Sequence, residues 1–228
     1  MPSLVKGMAV AAAAVGVFAL GAAPAGAKKS TEEGPPKNVK GKPAIVGEAR
    51  DGRVLEVTNG TWRGATPITY TYEWQRCGGS AGCVAIAGAE AQTYRVQTAD
   101  LGHKLRAIVT ATNTLGSSSR KTKSTPKVVP GSPVDVELPS ISGTVLPNET
   151  LTADPGTWGG TPPISFEYQW WHCEPELGCS FIHRAEGPTY TIPVTEAGDG
   201  YEVVVIATNA YGSEVATSPE VTPGGSGI

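Results

Sequence analysis

The chain has 228 residues, 39% of them hydrophobic and 17% charged, with a formal net charge of −3 at pH 7. This length suits two domains of ordinary size, and beyond one apolar run near the start no segment is fit to cross a bilayer. The near-neutral total hides an asymmetry: residues 28–127 carry sixteen basic and eight acidic side chains, residues 128–228 one basic and thirteen acidic.

In chain order, residues 1–27 read as an export signal. Lys6 gives a positive start, an Ala/Val/Leu/Phe run follows, and Ala25-Gly26-Ala27 offers a small-x-small cleavage site. The run is broken by Gly16, Gly21 and Pro24, which favours cleavage over retention as an anchor and leaves no transmembrane segment afterwards. Its Ala- and Gly-rich composition points to a bacterial exporter. Residues 28–42 are charged, rich in Pro and Gly and poor in large apolar residues, so a disordered linker is expected.

From residue 43 the apolar period is two. Ile68, Tyr70, Tyr72 and Trp74 alternate with Thr69, Thr71, Glu73 and Gln75, the pattern of a half-buried strand. Thr93-Tyr94-Arg95-Val96 reads as a shorter strand, and Leu105, Ala107, Val109 and Ala111 form a second long row. Turn signals stand at Asp51-Gly52, Asn59-Gly60, Gly102 and Gly116. Residues 43–127 are therefore expected to form one all-β domain, and residues 128–134, flanked and punctuated by prolines, a short linker.

Nearly every landmark then recurs 96 residues later: Gly60-Thr61-Trp62 as Gly156-Thr157-Trp158, Trp74 as Trp170, Cys77 and Cys83 as Cys173 and Cys179. About a third of the paired positions are identical without a gap, which marks a duplicated domain. Residues 135–222 form the second copy, and residues 223–228 a disordered tail. Four cysteines at matched spacing in an exported chain read as two disulfides, Cys77–Cys83 and Cys173–Cys179. Each closes a loop of about seven residues, for which loop entropy gives about 2.4 kcal/mol. The bridges pin local loops rather than joining two sheets.

Each copy resembles an immunoglobulin-like domain of the kind found in tandem in bacterial secreted and surface proteins. The resemblance rests on a mid-domain Trp (Trp74, Trp170) and on an acidic-x-Gly corner (Asp100-Leu101-Gly102, Glu196-Ala197-Gly198). A closing Ala-Thr-Asn-x-x-Gly-Ser run completes it (from Ala111 and from Ala207). It implies two tandem antiparallel β-sandwiches, arranged as beads on a string. The chain departs from the antibody pattern, because Val109 and Val205 stand where the second inter-sheet cysteine would fall.

Chemistry-bearing constellations are sparse. His172, Cys173, Cys179 and His183 have the composition of a zinc site, but neighbouring strand residues face opposite ways and the first copy lacks both histidines, so disulfide is favoured and no metal expected. No nucleophile elbow, phosphate loop or carboxylate pair appears, so neither a catalytic residue nor a cofactor is expected. Asp100 and Glu196 suit backbone capping at a turn. Trp62 and Trp158 read either as lids on the core or as exposed platforms for a sugar ring. Trp171 falls on the polar face of its strand beside His172, and is either a contact surface or covered by a loop.

Lys104, Arg106, Arg120, Lys121 and Lys123, with Lys127, make one side of the first copy basic. No nucleic-acid module accompanies them and the chain is exported, so nucleic acid is not the expected partner. An anionic envelope polysaccharide suits the charges better, and so does simple protection of a strand edge. The opposite charges of the two copies also permit weak head-to-tail self-association. The sequence thus points to an exported, non-enzymatic adhesion or binding module at the cell envelope or outside the cell. A structural spacer and a carbohydrate-binding accessory module are its rivals.

Overall fold

The computed structural model describes residues 34–78 and 82–224. The first sandwich comprises β1 (Lys37–Lys40), β2 (Ala44–Val46), β3 (Val54–Thr58), β4 (Thr61–Arg63), β5 (Thr69–Cys77), β6 (Cys83–Ala85), β7 (Thr93–Arg95), β8 (Lys104–Asn113) and β9 (Gly116–Lys121). The second repeats it as β10 (Val134–Glu137), β11 (Ser140–Ser142), β12 (Thr150–Asp154), β13 (Thr157–Gly159), β14 (Ser165–Glu174), β15 (Gly178–Phe181), β16 (Thr189–Thr191), β17 (Gly200–Asn209) and β18 (Gly212–Thr217). In each, a three-stranded sheet (β2-β3-β7, β11-β12-β16) faces a four-stranded one (β6-β5-β8-β9, β15-β14-β17-β18), and the strands within these sheets pair antiparallel. The fold is all-β: two tandem immunoglobulin-like sandwiches.

The period-two rows explain why. Leu105, Ala107, Val109 and Ala111 on β8 are fully buried, as are Tyr201, Val203, Val205 and Ala207 on β17. They close over Trp74 and Trp170, which stack on Tyr94 and Tyr190 with ring centroids 5.4 and 5.9 Å apart. Each indole N–H donates to a loop carbonyl, of Ala91 and of Gly187. A large side chain is thereby buried without an orphaned polar group. Val109 and Val205, which stand where the antibody pattern has its second inter-sheet cysteine, are both fully buried.

Two expectations need correction. The stretch read as a disordered linker contains β1, which pairs with β4 from Lys37↔Arg63 to Lys40↔Thr61. Backbone hydrogen bonds hold it, the Asn38 amide ties it to the carbonyls of Gly41 and Thr61, and Asn113 holds Gly34 from β8. Composition missed this, because an edge strand can send all its lysines to solvent and still be paired through its backbone. The stretch read as the inter-domain linker is equally built in. Val128 is buried against the first core and bridges to Leu101, Val129 bridges to Arg50, and Val134 already begins β10. The expected signal at residues 1–27, residues 28–33 of the linker and residues 225–228 of the tail lie outside the described residues.

Between the sandwiches the backbones touch through glycine. Gly52 packs so closely on the second sandwich that a Cβ there would lie 2.5 Å from the Gly160 nitrogen and 2.9 Å from the Gly159 carbonyl carbon. Asp51, 1% exposed, accepts from the Thr161 hydroxyl at 2.9 Å, and that hydroxyl in turn accepts from the Gly131 N–H at 3.1 Å. Arg50 donates to the Pro130 carbonyl, and Asn209 to those of Gly131 and Thr161.

Candidate functional site

Both expected disulfides form, each between residues directly opposite in a β-hairpin, Cys77↔Cys83 and Cys173↔Cys179. In the second sandwich the hairpin carries more than a staple. Trp171 pairs with Phe181 across β14 and β15, their rings 6.1 Å apart and edge-on, and Phe181 meets His183 at 4.5 Å in the same manner. Phe181 is 48% exposed. Trp171 is half-buried, and its indole N–H is shielded from solvent without an acceptor. The matching positions of the first sandwich are Gln75, Ala85 and Ala87, so the aromatic face belongs to the second sandwich alone. Phe181 and His183 escaped sequence reasoning as contact residues, because only the hairpin register sets them beside Trp171.

Trp62 belongs to the first core and Trp158 packs against the second. Trp62 is 9% exposed and donates to the Asn59 carbonyl, while the half-buried Trp158 donates to that of Pro155. Their rings tilt against Tyr70 and Phe166. At 9% exposure Trp62 offers little ring surface to a sugar.

At the equivalent corner of each sandwich an acidic side chain collects donors. Asp100, fully buried, accepts from Arg76 at 2.7 Å, from the Tyr94 hydroxyl at 2.8 Å and from the Gln97 N–H at 2.9 Å. It therefore caps the turn as its position predicts and also holds an ion pair. Glu196 serves the second sandwich differently, accepting from Tyr190 at 2.8 Å and Tyr201 at 3.3 Å. The Tyr94, Tyr190 and Tyr201 hydroxyls are all pushed well above the usual phenol range, first by burial. The neighbouring carboxylate adds to it, since ionising the phenol would set two negative charges side by side.

With Arg76 replaced by His172, the second sandwich gains an arrangement the sequence concealed. The His172 Nε2 lies 2.8 Å from the Ser180 hydroxyl, and its Nδ1 faces the Asp199 carboxylate at 3.6 Å. Serine, histidine and aspartate stand in the order of a nucleophile, base and orienting acid. The last link is too long for a hydrogen bond, and Nδ1 is buried without a hydrogen-bond partner. No hydrogen bond therefore fixes the tautomer that would leave Nε2 free to take a serine proton. The first sandwich has Val84, Arg76 and His103 at these positions.

Metal chemistry meets a direct obstacle. The sulfurs of Cys173 and Cys179 and the Glu202 carboxylate converge, but the sulfurs are bonded to each other and are not thiolates. His172 turns from them toward Ser180.

The basic residues divide into two groups. Lys104 and Arg106 lie on the outer face of β8, where the Arg106 guanidinium is held by the Gln75 amide oxygen. Arg120, Lys121 and Lys123 line the open edge of the sandwich, together with Lys40 and Lys42, around hollows of about 480 and 420 Å³. A further hollow of about 470 Å³ lies among Tyr72, Glu73, Gln92 and Ile108.

No family model matches the chain, and no curated protein matches it. Among solved structures it is similar to the "I-band fragment I67-I69 from titin", at 18% identity over 81% of this chain and 64% of that one, with a TM-score of 0.23. Domains A168-A170 from titin give 18% identity over 83% and 66%, with a TM-score of 0.30. The chicken CNTN1 FN1-FN3 domains give 16% identity over 84% and 69%, with a TM-score of 0.28. The chain spans less than two thirds of either titin fragment. Its fold assignment rests on its own strand order and pairing.

Proposed function

We propose that this chain is an exported, non-enzymatic immunoglobulin-like repeat protein that acts as an adhesion or binding module at a bacterial cell envelope or outside the cell. The observation that carries the reading is the aromatic face of the second sandwich. Trp171, Phe181 and His183 form a continuous edge-on row beside a disulfide-pinned hairpin. Rigid aromatic side chains lose little conformational entropy on binding and bury much area, which is why they anchor contact surfaces. Two disulfides suit an oxidising compartment, and no described helix is long and apolar enough to cross a membrane. The unanchored histidine at Ser180 supports the non-enzymatic part.

A structural spacer is the second reading, favoured by the glycine-packed junction that fixes one sandwich against the other. One experiment separates the two. Residues 28–228, which include every described residue, are mixed with envelope fragments, and the protein that sediments with them is measured. Saturable sedimentation that Phe181→Ser weakens about tenfold supports binding through the aromatic face. Protein left in the supernatant at every concentration sinks the binding reading and leaves the spacer.

A further inference from the structure

We infer that the open edge of the first sandwich is a binding groove for a linear, carboxylate-bearing polysaccharide, a site separate from the aromatic face of the second. The groove exists because β2 and β9 are edge strands of different sheets and do not pair with each other. Lys42 and Lys121 belong to both hollows and join them into one path. Five cations line it, from two distant stretches of chain: Lys40 at the end of β1 with Lys42 just beyond, and Arg120 and Lys121 on β9 with Lys123 just beyond. No carboxylate lines either hollow, and none of the five is ion-paired among the described residues. Like charges gathered without counter-charge repel one another, and an anionic ligand relieves that.

Edge protection alone does not require this arrangement, and the second sandwich shows why. Its pairing sets Glu137 opposite Thr157 where Lys40 stands opposite Thr61. The other four cations are matched there by Leu138, Ala216, Thr217 and Pro219. The same fold, with the same two unpaired edges, forms without any of the five.

The lining also selects among polyanions. Pro43, Ala44 and Ile45, small and aliphatic, are part of its lining, which suits the C–H face of a sugar ring. Ser124 and Asn38 also line it, a hydroxyl and an amide being suitable partners for sugar hydroxyls. No aromatic residue lines either hollow, so a nucleic acid would find no surface on which to stack its bases. Four of the five cations are lysines, which act as point charges and lack the planar fork that grips phosphate.

The test uses residues 28–228 and fluorescently labelled polygalacturonate, read by anisotropy at low and at half-molar salt. Binding should saturate, and Lys42→Gln with Lys121→Gln should weaken it about tenfold. Raising the salt should weaken it by about as much again, as screening shortens. The pair Lys104→Gln and Lys127→Gln removes the same charge outside the groove and should leave affinity within about twofold. All four side chains are exposed, and an unchanged melting temperature verifies that each variant is folded. Equal losses from the two pairs would reduce the effect to net charge and overturn the groove. Equal binding of fully methyl-esterified polymer would show that the charges are not read. Single-stranded DNA of matched charge binding as tightly would refute the choice of polysaccharide, and no binding at all would end the proposal.

Discussion

Gly131→Ala is the sharpest probe of how the two sandwiches are joined. A Cβ at Gly131 would lie 2.2 Å from the Asp51 carbonyl oxygen and 3.0 Å from the Arg50 Cγ. The oxygen is backbone and cannot swing aside, so the two segments must separate by more than an ångström to reach ordinary contact. That separation stretches the chain of hydrogen bonds from Gly131 N–H to Thr161 hydroxyl to Asp51 carboxylate, whose links are 3.1 and 2.9 Å. Overpacking of this kind costs about 1–3 kcal/mol. The strain sits between domains and not within a core, so it should appear as local opening of the junction. Amide hydrogen exchange reads it directly. The N–H of Thr161, bonded to the Gly131 carbonyl, and that of Asp51, bonded to the Val129 carbonyl, should exchange about 5- to 150-fold faster in the variant. The amide of Trp74, bonded to the Ala89 carbonyl inside the first sandwich, should keep its rate. Unchanged exchange at Asp51 and Thr161 would refute a packed junction, and equal acceleration at Trp74 would refute its independence from the core.

Three further outcomes follow from the acidic networks. Arg76→Ala leaves the fully buried Asp100 without its ion-pair partner and should cost the first sandwich about 2–4 kcal/mol in urea. The arginine is itself 30% exposed, which keeps the figure below the fully buried case; a loss under about 0.5 kcal/mol would count against the pair's structural role. The raised hydroxyls of Tyr94, Tyr190 and Tyr201 hold their protons in the folded state after the unfolded chain has begun to release its own. Their stabilisation is therefore fully present below the unfolded value of about 10 and is lost as pH rises beyond it. Melting temperature should fall from about pH 10 upward, less steeply in Tyr190→Phe, and a flat profile to pH 11.5 would contradict the assignment. Ser180 should resist labelling by a fluorophosphonate, with the rate unchanged in His172→Ala; rapid labelling that needs His172 would establish the hydrolase that the unpartnered Nδ1 argues against.

What could be read in advance was what is local along the chain. The alternation of Leu105, Ala107, Val109 and Ala111 places one face inward whatever the rest does, because strand side chains alternate by geometry. Cys77 and Cys83 are close enough in sequence to meet across one hairpin. Repetition at a fixed offset marks a duplicated domain without reference to contacts. Tertiary structure decided everything that depends on distant segments sharing a place. It turned the lysine-rich stretch at Lys37–Lys40 into a strand through backbone pairing that composition does not record. It set Thr161 on Asp51, Asp199 and Ser180 on either side of His172, and Phe181 against Trp171. It also gathered five cations from two distant stretches of chain around one edge. The reason is physical: side-chain alternation and turn chemistry act over a few residues, whereas a site is made where sheet edges and loop ends meet, and that depends on how whole sheets pack.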